Sequence, residues 1–158
     1  MRVKDCMTTE VVTLKRSTPL VRIMKTFKKN NFHVLPVVEN NDVLVGVVTF
    51  EDILKVFQPY RSNLVQMLKA NPFLELTDKE EILEADLSSE MGILAVADDL
   101  MSQEFLTISG DENITKAYSE MKVNNTECLL VTENDKLVGI ITLFDIILTL
   151  FKEKGVIE

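Results

Sequence analysis

The sequence predicts a mixed α/β (α+β) fold: two β-α-β-β-α repeats packed through their sheets with pseudo-twofold symmetry, with helices inserted between them. Three observations carry this reading. The chain matches itself at a spacing of 94 residues, changing to 93 partway through each copy. In both copies, short apolar runs and helically spaced apolar residues alternate in the same order. The strand candidates are apolar almost throughout, so both faces of each sheet need cover.

The matches are ordered along the chain. Asp5, Met7, Glu10 and Thr13 pair with Asp99, Met101, Glu104 and Thr107. Lys28 and Asn30-Asn31 pair with Lys122 and Asn124-Asn125. Leu35, Val37, Glu39 and Asn40 pair with Leu129, Val131, Glu133 and Asn134. One residue is then lost in a turn, and Leu44-Val45-Gly46, Thr49, Asp52 and Ile53 pair with Leu137-Val138-Gly139, Thr142, Asp145 and Ile146.

The elements follow in order. Residues 11–14 and 105–108 are short β-branched or aromatic runs that read as first strands. Ser17-Thr18-Pro19 starts a helix with proline in its first turn, and Leu20, Ile23, Met24 and Phe27 line one face. Ile114, Ala117, Tyr118 and Met121 do the same after Asp111, and the Asn-Asn pairs end both helices. Strands over 34–38 and 44–49 join through Glu39-Asn40-Asn41-Asp42. Strands over 128–132 and 137–142 join through Glu133-Asn134-Asp135, which is turn chemistry for a hairpin. Closing helices carry Ile53, Leu54 and Phe57, or Ile146, Ile147 and Leu150.

A repeat of this size buries little surface alone, so each is expected to take cover from its twin. The boundaries read as repeat 1 over 1–58, a helical acidic insert over 59–96, and repeat 2 over 97–158. In the insert, 63–70 reads as an amphipathic helix, and Thr77-Asp78-Lys79-Glu80 as a capping box opening another.

Composition narrows the function. The formal charge is −8, whereas a nucleic-acid binder needs a basic face. The charge is uneven: residues 1–60 carry a net +3, 61–96 carry −4 and 97–158 carry −7. A small anion is expected to prefer the first third. No apolar run approaches the roughly 18–20 residues of a membrane span, and residues 1–7 hold no signal core. Two cysteines make neither a disulfide framework nor a zinc site, which fits a reducing cytoplasm. His33 is the single histidine, so no catalytic pair or His-based metal cluster is available. It is read as either a packed histidine or a ligand contact. Cys128 reads as a small core residue, and Met24, Met67, Met101 and Met121 as packing. Cys6 has no base near it in sequence to activate it.

Two segments concentrate the chemistry. Gly46-Val47-Val48-Thr49-Phe50-Glu51-Asp52 and Gly139-Ile140-Ile141-Thr142-Leu143-Phe144-Asp145 each run from a strand into a helix. One reading is structural: Thr caps the helix, and Asp in the first turn meets the favourable end of its dipole, worth about 1–2 kcal/mol. The other is a ribose-phosphate grip. A helix N-terminus receives phosphate, and a carboxylate one turn in accepts ribose hydroxyls. The neighbouring strands offer an apolar slot for adenine.

These two G-h-h-T-x-x-D segments (h apolar), the Leu35-Pro36-Val37 strand, and the openings Asp5-Cys6-Met7-Thr8 and Asp99-Leu100-Met101-Ser102 resemble a tandem pair of CBS domains, a Bateman module. The resemblance covers both repeats and leaves the middle segment outside. It implies a regulatory, non-catalytic module that binds AMP, ADP, ATP or S-adenosylmethionine and changes the geometry of its repeats. It implies that Thr49 and Thr142 hold phosphate and that Asp52 and Asp145 hold ribose. It places the base between Val11 and Thr13 on one side and His33, Leu35, Pro36 and Val37 on the other, with Thr107 matching Thr13. Leu130 replaces Pro36 and Glu127 replaces His33 in the second copy. A carboxylate there repels a phosphate, so the first grip is expected to take a phosphorylated nucleotide and the second to stay empty or take S-adenosylmethionine. A homodimer acting on a partner protein is expected; the alternative is a structural dimerisation scaffold without ligand.

Overall fold

A hairpin turn shows how local chemistry sets the second repeat. Asn134 and Asp135 have φ of 50° and 64°, the paired left-handed values of a type I′ turn, which Asn and Asp tolerate better than most residues. They join β4 (Cys128–Glu133) to β5 (Lys136–Thr142). The strands pair antiparallel from Cys128 with Thr142 to Glu133 with Lys136, with an irregularity between Val131 and Thr132. β3 (Thr107–Ile108) adds parallel to β4, giving the order β3-β4-β5. In the first repeat β1 (Val34–Val38) and β2 (Leu44–Thr49) form a two-stranded sheet. Their turn contains the one extra residue and a 3-10 segment (Asn40–Asp42), with Asn41 and Asp42 at positive φ. The computed structural model describes residues 1–30, 33–57 and 94–156; the expected helices at 63–70 and from Thr77 onward lie outside the described residues.

Among the described residues the helices are α1 (Leu20–Asn30), α2 (Phe50–Phe57), α3 (Ala97–Leu100), α4 (Ile114–Val123) and α5 (Leu143–Glu153). α4 opens at Asn113, whose side chain accepts from the Thr115 N–H at 2.8 Å. It ends with Asn125 at φ 50°. α1 begins one residue later than proline in the first turn would give. The Pro19 carbonyl accepts from the Arg22 and Ile23 N–H groups, so Pro19 itself takes the cap position.

Two compact units emerge, and they cut across the repeats. Unit 1 gathers Met1–Thr13, Pro36–Val47 and Gln103–Glu158; unit 2 gathers Leu14–Leu35 and Val48–Ser102. In unit 1, Val3, Ile108, Ile114, Ala117, Met121, Leu129, Val131, Ile141 and Ile146 form one core. The first opening lies on this core: Thr8 pairs antiparallel with Ile140 through two bonds of 2.9 Å. In unit 2, the second opening does the matching job. Val96 pairs with Pro19, Leu20 N–H donates to the Ala95 carbonyl, and Ala97 N–H to the Thr18 carbonyl. The repeated aspartates close the two openings alike. Asp5 accepts from Arg2 N–H at 2.8 Å and Asp99 from Val96 N–H at 3.0 Å.

Three sequence expectations change. Residues 11–14 form no strand, bridging only at Leu14, whereas Thr107–Ile108 pairs with Leu130 and Val131. Among the described side chains of the closing helices, Ile53 and Ile146 are buried, while Leu54, Ile147 and Leu150 are exposed; Val56 and Phe57 lie outside them. Met24 and Tyr118 are likewise exposed, whereas Met121 is deep in the core; Met67 lies outside the described residues. Helical spacing identifies a stripe wider than the face each helix lays on its own sheet. Among the described residues, no helix is long and apolar enough to cross a membrane.

Candidate functional site

Each repeat ends its last strand in the same closed figure. In unit 2, the Thr49 N–H and Oγ1–H both donate to Asp52 Oδ2, at 2.9 and 2.8 Å. The Asp52 N–H returns a 3.2 Å bond to Thr49 Oγ1. In unit 1, the Thr142 N–H and Oγ1–H donate to Asp145 Oδ2 at 2.8 and 2.7 Å, and the Asp145 N–H donates to Thr142 Oγ1 at 3.1 Å. This is a capping box with aspartate in the third helical position. A β-strand delivers Thr in extended backbone, and the helix dipole holds the carboxylate one turn in. All three bonds use the threonine and one carboxylate oxygen; Oδ1 lies outside the box.

The surroundings of the two boxes differ. Asp52 is only 6% exposed, and its Oδ1 accepts from Lys55 Nζ at 3.2 Å. Phe50, the first residue of α2, lies against Phe27 with ring centroids 4.5 Å apart. His33 is exposed and meets the Phe50 ring edge-on at 6.3 Å, so it is no core histidine. Asp145 is half-buried, and the N–H of Leu143 is taken by the Glu127 carbonyl at 2.8 Å. Thus Glu127, which replaces His33, caps α5 through its backbone while its side chain is exposed. Cys6 lies near both Asp145 and Thr149. Burial raises its thiol pKa above the ordinary range, the Asp145 carboxylate adds to this, and the Thr149 hydroxyl partly opposes it. Burial also raises Cys128. A thiol held protonated is a poor nucleophile.

The remaining expected residues separate by burial. Leu35 and Val37 are fully buried, as is Pro36. Val11 is half-buried, and Thr13 and Thr107 are exposed. Sequence reasoning missed Lys55 and Phe50. The signal for Lys55 was its i, i+3 spacing from Asp52 on a helix. Phe50 carried no local signal, because its ring partners lie elsewhere in the chain. Among the described residues, no three His, Cys, Asp or Glu groups converge on a metal position.

Comparison with known proteins gives a consistent picture. A model of the CBS domain matches residues 3–59 and 96–152. The protein MJ1426 of Methanocaldococcus jannaschii is 28% identical over 154 residues, covering 93% of this chain and 89% of that one. The chain also matches longer proteins, spanning 44% and 46% of two of them. The crystal structure of CBSX2, an Arabidopsis thaliana CBS-pair protein, in complex with AMP has a TM-score of 0.69 at 24% identity, covering 97% of this chain and 98% of that one. The CBS domain pair of MJ0100, in complex with 5′-methylthioadenosine and S-adenosyl-L-methionine, has a TM-score of 0.65 at 21% identity, covering 98% of each chain. At these identities the structures establish the fold.

Proposed function

The chain belongs to the CBS-domain family, and from that premise we propose that it is a non-catalytic cytoplasmic sensor whose Thr-x-x-Asp boxes grip the ribose-phosphate of an adenosine ligand. The observation that carries this is the duplicated box itself. Both boxes use Oδ2 for their internal bonds, so Oδ1, which meets the exposed Lys55 at Asp52, is the oxygen offered to ribose hydroxyls. The box at the start of a helix also stands where a phosphate is favoured. The AMP bound by CBSX2 and the S-adenosylmethionine bound by the MJ0100 pair support adenosine compounds as the class. The first grip, beside Lys55 and in the more basic third of the chain, takes the phosphorylated nucleotide. The second, beside Glu127, takes S-adenosylmethionine or stays empty. A ligand acts on a partner only through its differential affinity for two repeat geometries. The active species is a homodimer: Phe144, Ile147, Leu150 and Phe151 leave an exposed apolar stripe on α5, which wants cover in water.

A second reading is a scaffold without ligand. It is favoured by the boxes being complete as helix caps through their own internal bonds. Thermal shift separates the two, using AMP, ADP, ATP and S-adenosylmethionine on wild type, Asp52→Asn and Asp145→Asn. Asparagine keeps an acceptor oxygen for the box, so the fold is retained. Ligand at a hundred times its Kd stabilises by about 2.7 kcal/mol, roughly 5–10 °C for a chain of this size. The expected result is an AMP shift lost in Asp52→Asn and kept in Asp145→Asn. No shift with any of the four compounds leaves the scaffold.

A further inference from the structure

The two boxes share every internal bond but differ at the carboxylate oxygen that the box does not use. Asp52 Oδ1 holds the ammonium of Lys55 at 3.2 Å. The burial of this pair is lopsided: the lysine side chain is 65% exposed and the aspartate 7%. Lys55 therefore sits at the mouth of the grip, with its stem anchored one turn along α2 and its charge in reach of solvent. The matching position in the second repeat is Leu148, so helical i, i+3 spacing brings Asp145 no cation. The charged groups thus cancel at Thr49, Asp52 and Lys55, whereas Thr142 and Asp145 carry a net negative charge, with Glu127 in the place of His33.

We propose that Lys55 determines the ligand specificity of the first grip, making it select a phosphorylated adenosine compound over an uncharged or cationic one. The inference rests on the ribose-phosphate reading above and names the residue that would set its ligand class. A ribose hydroxyl that donates to Asp52 Oδ1 takes the acceptor that Lys55 now uses. The ammonium is then released toward the phosphate side of the same helix start, where it finds an anionic oxygen. A neutral nucleoside offers no such replacement, so it displaces the lysine without compensation. A sulfonium ligand brings a like charge to the ammonium. Phosphate with a lysine is a charge-assisted pair, stronger than a neutral hydrogen bond, and is moderated here by exposure.

The test is calorimetric titration of the full chain with adenosine, AMP and S-adenosylmethionine, on wild type, Lys55→Met, Lys55→Arg and Asp52→Asn. Lys55→Met is expected to weaken AMP by about five- to tenfold and to leave adenosine unchanged or tighter. Lys55→Arg is expected to keep the preference for AMP. Raising the salt concentration should shrink the AMP advantage of wild type and leave Lys55→Met unaffected. If Lys55→Met weakens adenosine and AMP equally, or leaves their ratio unchanged while Asp52→Asn still abolishes both, the role of Lys55 is refuted and the grip survives. If wild type binds none of the three compounds, the grip and the inference fall together.

Discussion

Gly139 supports the seating of the first opening on β5, and replacing it with alanine tests that contact. A methyl group there would stand 2.6 Å from Met7 Sδ, 3.1 Å from Met7 Cγ and 3.0 Å from the Thr8 carbonyl oxygen. The thioether is flexible and can swing away. The carbonyl cannot, because Thr8 exchanges two 2.9 Å bonds with Ile140, the neighbour of Gly139. The methyl is therefore accommodated by lifting the 6–8 segment from the strand. Loss of two backbone hydrogen bonds costs about 1–3 kcal/mol. Removing a glycine from a strand returns about 0.5–1 kcal/mol. The expected net loss centres on about 1 kcal/mol, or roughly 2–4 °C in Tm. Urea denaturation of Gly139→Ala, Met7→Ala and the double variant measures it. Amide exchange at Thr8 and Ile140 should quicken in Gly139→Ala. The double variant relieves only the soft contact, so it should retain part of the glycine effect beyond that of Met7→Ala. A Gly139→Ala chain as stable as wild type, with Thr8 and Ile140 amides unchanged, would refute the claim that close approach of this backbone requires glycine.

Thr142→Ala removes the hydroxyl that both accepts from Asp145 N–H and donates to Asp145 Oδ2, and should cost about 1–2 kcal/mol, read as a lower urea midpoint at constant slope. The raised thiol pKa values of Cys6 and Cys128 predict slow modification by an alkylating reagent at pH 8 and fast modification in denaturant. The same shifts fix the sign of a pH effect. A thiol kept neutral by folding stabilises fully below its unfolded pKa of about 8.5, and that contribution is lost as pH rises through the higher folded value. Stability unchanged by Cys6→Ser and Cys128→Ala in its alkaline pH profile would contradict this.

Much of the candidate site is legible in sequence because it is local. Thr and Asp three residues apart at a strand-helix junction bond to each other within one turn, so no distant partner is needed to form the box. The strands at Val34–Val38 and Leu44–Thr49 fall where apolar runs and Asn-rich turns put them. Lys55 was harder to read: helical spacing allows its contact with Asp52, but burial of the aspartate beneath an exposed lysine depends on the packing of α2. Leu35 and Val37 are expected as ligand contacts only through the family resemblance, and their full burial is a property of the packed chain that no local pattern states.

Periodicity and duplication alone established the two repeats, their hairpins, their capped helices and the paired Thr-Asp figures, because each depends on neighbours within a few residues. Tertiary structure decided which unit each opening joins and how much of each helix is covered. The two openings share Asp, Met and an apolar setting, so their local sequences do not distinguish one landing strand from the other. The Thr8–Ile140 and Pro19–Val96 pairings make that choice, through backbone bonds between segments far apart in the chain, where the residue pattern of either segment carries no record of its partner.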